Sequence, residues 1–154
     1  MRITLLCAGA LSGAPEAKLA QGYADRASAT GRRVGLGPVE IVEVAPRRRG
    51  KTGEGESMRS AVGSDHLIAC DMGGVYLSSR EFAALVARIR DDGTRRLVFA
   101  VGGADGLDGP LLALAADRLS FGRQTWPHAL ARVMLAEQVY RAASILAGTP
   151  YHRE

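Results

Sequence analysis

Cysteine and histidine are scarce in this 154-residue sequence: two of the first and three of the second. Cys7 and Cys70 lie far apart in apolar, strand-like runs with no C-x-x-C, so they read as buried free thiols and a disulfide framework is excluded. His66, His128 and His152 are scattered, which gives no metal-ligand spacing, and no metal is expected. Long apolar runs are missing too; none approaches the 18 or so residues of a membrane span. No charged-then-apolar leader opens the sequence, so the expected location is cytoplasmic. There is no internal repeat. The balance of 47% hydrophobic and 23% charged residues is that of one soluble domain, residues 1–154, with a sizeable core.

The charge is modest, +4 with a pI near 9.5, but it is clustered. "PRRRGK" occupies 46–51, Arg32-Arg33 and Arg95-Arg96 are pairs, and Arg132, Arg141 and Arg153 fall near the end. One such cluster is an ordinary solvated face. Several together point to an anionic partner, with nucleic acid the first class to consider.

The periodicity alternates strand and helix. "RITLLCAGA" (2–10) reads as a strand running into a Gly/Ser/Pro loop, and Pro15 starts a helix through "EAKLAQGYADRAS". "VEIVEV" (39–44) has the period of a half-exposed strand. A basic, Gly-rich loop covers 46–55, and a short helix runs to Val62. "HLIACD" (66–71) and "RLVFAV" (96–101) are apolar runs bounded by turn signals, as in buried strands. Between them a helix over 78–92, with Ser79 as its N-cap, carries Phe82, Leu85, Val86 and Ile89 on one face. A helix from Pro110 to about Arg118 and a long one from His128 to Ala147 complete an α/β pattern with a largely parallel sheet. The last helix is apolar nearly all round: Val133 and Tyr140 point one way, Met134 and Ile145 another, Leu135, Val139 and Leu146 a third. Burial on several sides of one helix in so small a domain predicts a homodimer.

Two glycine-containing segments invite a nucleotide reading. "APRRRGKT" (45–52) matches the phosphate-cradling G-x-x-x-x-G-K-[ST] except that Ala45 replaces the first glycine. Pro46 has no N–H to offer a phosphate, and three arginines crowd the turn, so an exposed basic loop is the better reading. "VGGADG" (101–106) lacks the G-x-G-x-x-G spacing, and no acidic residue occurs in 119–136 to hold a ribose. A turn, or a small-molecule loop at the carboxyl end of a strand, remains.

The last segment is more specific. In "RQTWPHALARVMLAEQVYRAASILAGTPYHRE" the residues Thr125, Pro127-His128, Arg132, Glu137-Gln138, Tyr140-Arg141 and Pro150-Tyr151-His152-Arg153 resemble, position by position, the carboxyl end of the ribosomal RNA large subunit methyltransferase H family. These SPOUT-class enzymes methylate N3 of a pseudouridine in 23S rRNA. Length agrees, as do "VEIVEV" before "RRRGK", the strand ending in Asp71, "LSSREFA" (77–83) and "VFAVGGADG" (98–106). The chain departs from the family in the lysine-free "MGGVYLSS" and "AGALSGAPEA", and in Gln124 and Trp126.

The resemblance implies a single α/β SPOUT domain with a parallel sheet, a carboxyl-terminal trefoil knot that binds S-adenosylmethionine, and a homodimer that completes the active sites. The cofactor would lie among the strand end at Cys70, the turn Gly102-Gly103, and the segment Arg123, Gln124, Thr125, Trp126, Pro127, His128. His152 would be the base or proton relay for the N3 proton, because imidazole titrates near neutrality. Arg141 and Arg153 would hold phosphate or the anionic base edge. Glu137 and Arg141, four apart on one helix, form either a simple salt bridge or part of the chemistry. Tyr151 would stack on a base or anchor the tail, and His128 would pack or cap beside the cofactor loop. Arg47, Arg48, Arg49, Lys51 and Arg132 would meet the RNA, presented on the assembled ribosome. A non-catalytic, dimeric RNA-binding protein of the same fold is the competing reading.

Overall fold

The structure is a computed structural model that describes residues 1–45 and 50–153. Five strands form one sheet in the order β2-β1-β4-β3-β5, and every neighbouring pair is parallel. They are β1 (Arg2–Ala8), β2 (Val39–Val44), β3 (His66–Tyr76), β4 (Arg96–Val101) and β5 (Asp117–Ser120). The helices are α1 (Pro15–Gly31), α2 (Lys51–Val62), α3 (Ser79–Asp91), α4 (Gly109–Leu114) and α5 (His128–Leu146). A short 3-10 turn at Arg32–Val34 follows α1.

Both faces of the sheet are covered, as a parallel sheet requires. Alternate residues of the central strands divide between two cores. Ile3, Leu5, Cys7, Ile68, Leu97 and Phe99 pack against α1, α3 and α5. Leu6, Ala8, Leu67, Ala69, Val98 and Ala100 pack against α2 and α4. β2 is an edge strand, which explains why Glu43 is exposed and Glu40 only half-buried in "VEIVEV".

Four boundaries differ from the sequence expectation. The cap of α3 is Ser78, not Ser79: the Ser78 hydroxyl accepts from Glu81 N–H while the Glu81 carboxylate accepts from Ser78 N–H at 2.7 Å. Helix α2 starts at Lys51, inside the expected loop, and includes Gly53 and Gly55. A Cβ on Gly55 would come within 2.0 Å of the Asp108 carboxylate, so this glycine serves close packing and not a loop. Helix α4 ends at Leu114, and 117–120 is a strand, because β3 offers it an edge to pair with.

The fourth difference shapes the site. β3 does not stop at Asp71. Cys70 and Val75 are both opposite Leu119, so residues 71–74 make an excursion before the strand resumes. The Asp71 carboxylate accepts from Gly73 N–H at 2.9 Å and closes that excursion. Gly74 passes so close to β5 that a Cβ would lie 2.6 Å from the Leu119 carbonyl carbon. Among the described residues no helix is long and apolar enough to cross a membrane.

Candidate active site

The β3 excursion after Cys70 and the carboxyl ends of β4 and β5 open onto a cavity of about 300 Å³. Ligands in α/β sheets bind at this end of the strands. The walls come from Cys70–Met72, Val101–Leu107, Leu119–Gly122, the segment Gln124–Trp126, the start of α5 at His128 and Ala131, and Lys51. The three regions expected around a cofactor therefore converge. Cys70, Gly102, Gly103, Gln124, Thr125, Trp126 and His128 all line the cavity, whereas Arg123 and Pro127 are exposed members of the same segment outside its wall.

Local hydrogen bonds shape these walls. Gly106 N–H donates to Gly103 O at 3.1 Å, pinching the glycine turn. A Cβ on Gly102 would fall 2.5 Å from the Gly106 carbonyl carbon, so the turn closes only around a glycine. The Trp126 indole donates to Phe121 O at 3.3 Å, and the Ser120 hydroxyl donates to Gly122 O at 3.1 Å; together they fold the segment back on itself. Burial pushes the Cys70 thiol above its ordinary range, so it meets the cavity as a neutral group.

A second cavity, about 670 Å³, shares the Leu119–Gly122 wall. It is largely apolar, bounded by Leu19, Tyr23, Tyr76, Leu77, Phe82, Val133 and Met134, with Glu137 and Gln138 on one side. Here the end of the chain is anchored. Thr149 N–H donates to Ser144 O at 2.9 Å and Gly148 N–H to Ile145 O at 3.1 Å, with Gly148 at φ +65, a Schellman stop that turns the tail back along α5. The Tyr151 ring packs on Tyr140 at 4.4 Å between centroids, and the Arg141 guanidinium lies 4.8 Å over it.

Glu137 is the hub of this end. Its Oε1 accepts from the Tyr151 hydroxyl at 3.0 Å and from Arg141 Nε at 3.0 Å, with Arg141 Nη2 closing a fork. Its Oε2 accepts from Gln138 at 2.7 Å, and Gln138 in turn accepts from the Ser79 hydroxyl at 2.9 Å. Burial, then the bond to Glu137, raises the Tyr151 phenol, so it stays protonated. With ring and hydroxyl both engaged, Tyr151 anchors the tail. Arg141 Nη1 lies 3.4 Å from His152 Nδ1. A guanidinium has only donors, so Nδ1 is the acceptor and the neutral ring carries its proton on Nε2. Arg153 is exposed beside it.

The structure does not bring the two halves of the expected site together in one chain. Glu137 follows His128 on α5 by roughly 14 Å at about 1.5 Å per residue. The cofactor residues gather at one end of that helix and the tail residues at the other.

Arg132 is a correction. Expected to meet RNA, it is 2% exposed, donating to Glu43 at 3.1 Å, to Gly9 O at 3.0 Å and to Ala8 O. It ties α5 to the ends of β1 and β2, and no nucleic acid reaches it. Arg47, Arg48 and Arg49 lie outside the described residues. Sequence reasoning missed the link from Ser79 through Gln138 to Glu137, because Ser79 and Gln138 are 59 residues apart and meet only in the fold. Among the described residues no three of His, Cys, Asp and Glu gather as metal ligands.

The family described as "Predicted SPOUT methyltransferase" matches residues 1–152. The chain is 58% identical to a ribosomal RNA large subunit methyltransferase H of Caulobacter sp. (strain K31) and 56% identical to that of Phenylobacterium zucineum, each over all of both chains. The chain belongs to the SPOUT methyltransferases, in the methyltransferase H family. Solved structures carry the same fold. A probable methylase family protein of Haemophilus influenzae matches with a TM-score of 0.56 at 13% identity, covering 99% of this chain and 70% of that one. A probable methyltransferase of Bordetella pertussis matches with a TM-score of 0.54 at 17% identity, covering 92% and 96%.

Proposed function

We propose that this SPOUT methyltransferase transfers a methyl group from S-adenosylmethionine to N3 of a pseudouridine in 23S rRNA, on the assembled ribosome, acting as a cytoplasmic homodimer with a knotted carboxyl-terminal part. The observation that carries the reading is the cavity at the ends of β4 and β5 beside the β3 excursion, together with relatives, matched over their whole length, that are named ribosomal RNA large subunit methyltransferase H. The residues present fit the cofactor. The pinched glycine turn offers main-chain groups, the volume lies at the lower end of ligand pockets, and the wall carries both signs of charge in Lys51, Asp71 and Asp105.

Bound there, the cofactor supplies an electrophilic sulfonium methyl; this chain's residues do the rest by alignment, proton removal and exclusion of water. Trp126 and the 120–122 turn form part of the cavity wall. His152 takes the N3 proton, which requires its Nδ1 to leave Arg141 as substrate enters. Arg141 and Arg153 then face the developing imide anion or a phosphate. Glu137 and Tyr151 hold the tail that carries His152 and Arg153. Two features support the homodimer in this scheme. The tail end and the cofactor end of α5 are separated within one chain, and an apolar cavity bordered by the exposed Leu19 and Tyr76 lies between the elements that bear them.

The test is methyl transfer from radiolabelled S-adenosylmethionine to ribosomes from cells lacking the enzyme, with wild type and His152→Ala side by side. Transfer that collapses in the variant is expected. Transfer that survives moves the base elsewhere, and no transfer without cofactor binding leaves the RNA-binding protein.

A further inference from the structure

Lys51 belongs to the basic segment that the sequence assigns to RNA, yet its position is a wall of the cofactor cavity. It is the one lysine or arginine lining that cavity among the described residues. Three residues on, Glu54 is on the same turn of α2, and its carboxylate abuts the glycine turn: a Cβ on Gly103 would lie 2.8 Å from its Oε2. Positions i and i+3 are neighbours on a helix surface. Among the described residues neither side chain has a hydrogen-bond or ion-pair partner. The first turn of α2 therefore places a cation on the cavity wall and an anion against the glycine turn that forms part of that wall.

A zwitterion complements such a pair. We propose that Lys51 and Glu54 recognise the amino-acid end of the cofactor, Lys51 facing its α-carboxylate and Glu54 its α-ammonium. The inference rests on the cofactor reading above and deepens it. The acidic groups on the wall itself are placed differently. Asp71 is held by Gly73 N–H in its own turn, and Asp105 is exposed at the tip of the glycine turn. Gly103 has a role in the same device, because a side chain there would displace the Glu54 carboxylate.

Two neutral-sulfur ligands isolate the effect. S-adenosylhomocysteine carries the zwitterionic end; 5′-methylthioadenosine lacks it and is otherwise close. Isothermal titration of each into the wild-type protein, Lys51→Ala and Glu54→Gln, without RNA, reads the difference directly. Wild type binds adenosylhomocysteine more tightly than methylthioadenosine. Each variant, altered at a solvent-facing pair, loses about three- to fivefold for adenosylhomocysteine and is unchanged for methylthioadenosine. Equal losses for both ligands, or no loss for either, overturn the proposal. So does a Lys51→Ala protein that keeps adenosylhomocysteine affinity but loses affinity for ribosomal RNA, which returns Lys51 to the RNA. A wild-type protein that binds neither nucleoside sinks the cofactor reading itself and this inference with it.

Discussion

Replacing Arg132 by alanine separates a structural arginine from an RNA-binding one. The guanidinium is 2% exposed and donates to the Glu43 carboxylate and to the main-chain oxygens of Ala8 and Gly9. Truncation removes that charge and leaves its acceptors behind. Breaking a buried pair costs about 3–5 kcal/mol when the remaining charge stays buried. Glu43 is 34% exposed and can be rehydrated, which places the effect near the lower bound, about 3 kcal/mol. At roughly 2–4 °C per kcal/mol for a chain of this size, the melting temperature should fall by about 6–12 °C. Arg132→Lys keeps the charge but not the fork and recovers less than half of the loss. Scanning calorimetry reads the stability, and binding to ribosomal RNA at several salt concentrations reads the competing role. A melting temperature within about 2 °C of wild type, with RNA affinity reduced and its salt slope shallower by about one, would refute the structural account.

Two further substitutions probe the cavity and the core. Gly102→Ala drives a Cβ into the Gly106 main chain at 2.5 Å, so the turn must open; binding of S-adenosylhomocysteine should be lost, with about 1–3 kcal/mol of stability. Gly103→Ala meets only the end of the Glu54 side chain, and its melting temperature should stay within about 2 °C of wild type. Equal melting shifts would contradict the packing described. Cys7 tests the sheet interior. Burial, opposed by Arg132 and aided by Glu43, pushes its thiol from 9.0 up to about 12. Between those values the unfolded chain releases the proton and the folded chain keeps it, so stability present below pH 9 is lost as pH rises. Relative to Cys7→Ala, wild type should lose on the order of 1 kcal/mol between pH 8 and pH 10 in urea titrations. An unchanged difference would mean that the thiol is solvated.

Alternating strand and helix patterns made the α/β class legible, and the apolar runs at 66–71 and 96–101 placed two central strands. Local signals failed where tertiary contacts decide. "DRLS" is too short and too polar to declare itself a strand; only the edge of β3 makes it one. The glycines of "KTGEGES" suggest a loop, yet Gly55 is required by the Asp108 carboxylate against it. The Asp71-to-Gly74 excursion looks like a strand end because nothing local says that the strand resumes. At the candidate site, the resemblance named three segments far apart in sequence, and the structure gathers most of their residues on one cavity. Arg132 was misplaced for a plain reason: its acceptors, Ala8, Gly9 and Glu43, are remote in sequence.

The Schellman stop and the Glu137 hub lie at two ends of one stretch of α5, and that makes the helix a ruler. Each residue inserted between Glu137 and Ser144 would turn one end against the other by about 100° and advance it by about 1.5 Å. The Tyr151 hydroxyl, now 3.0 Å from Glu137, would swing to another side of the helix while the core packing of either half stayed sound. Side chains in this stretch can be exchanged one at a time at graded cost. Its length cannot change by even one residue without detaching the end of the chain, so here residue count is constrained more tightly than residue identity.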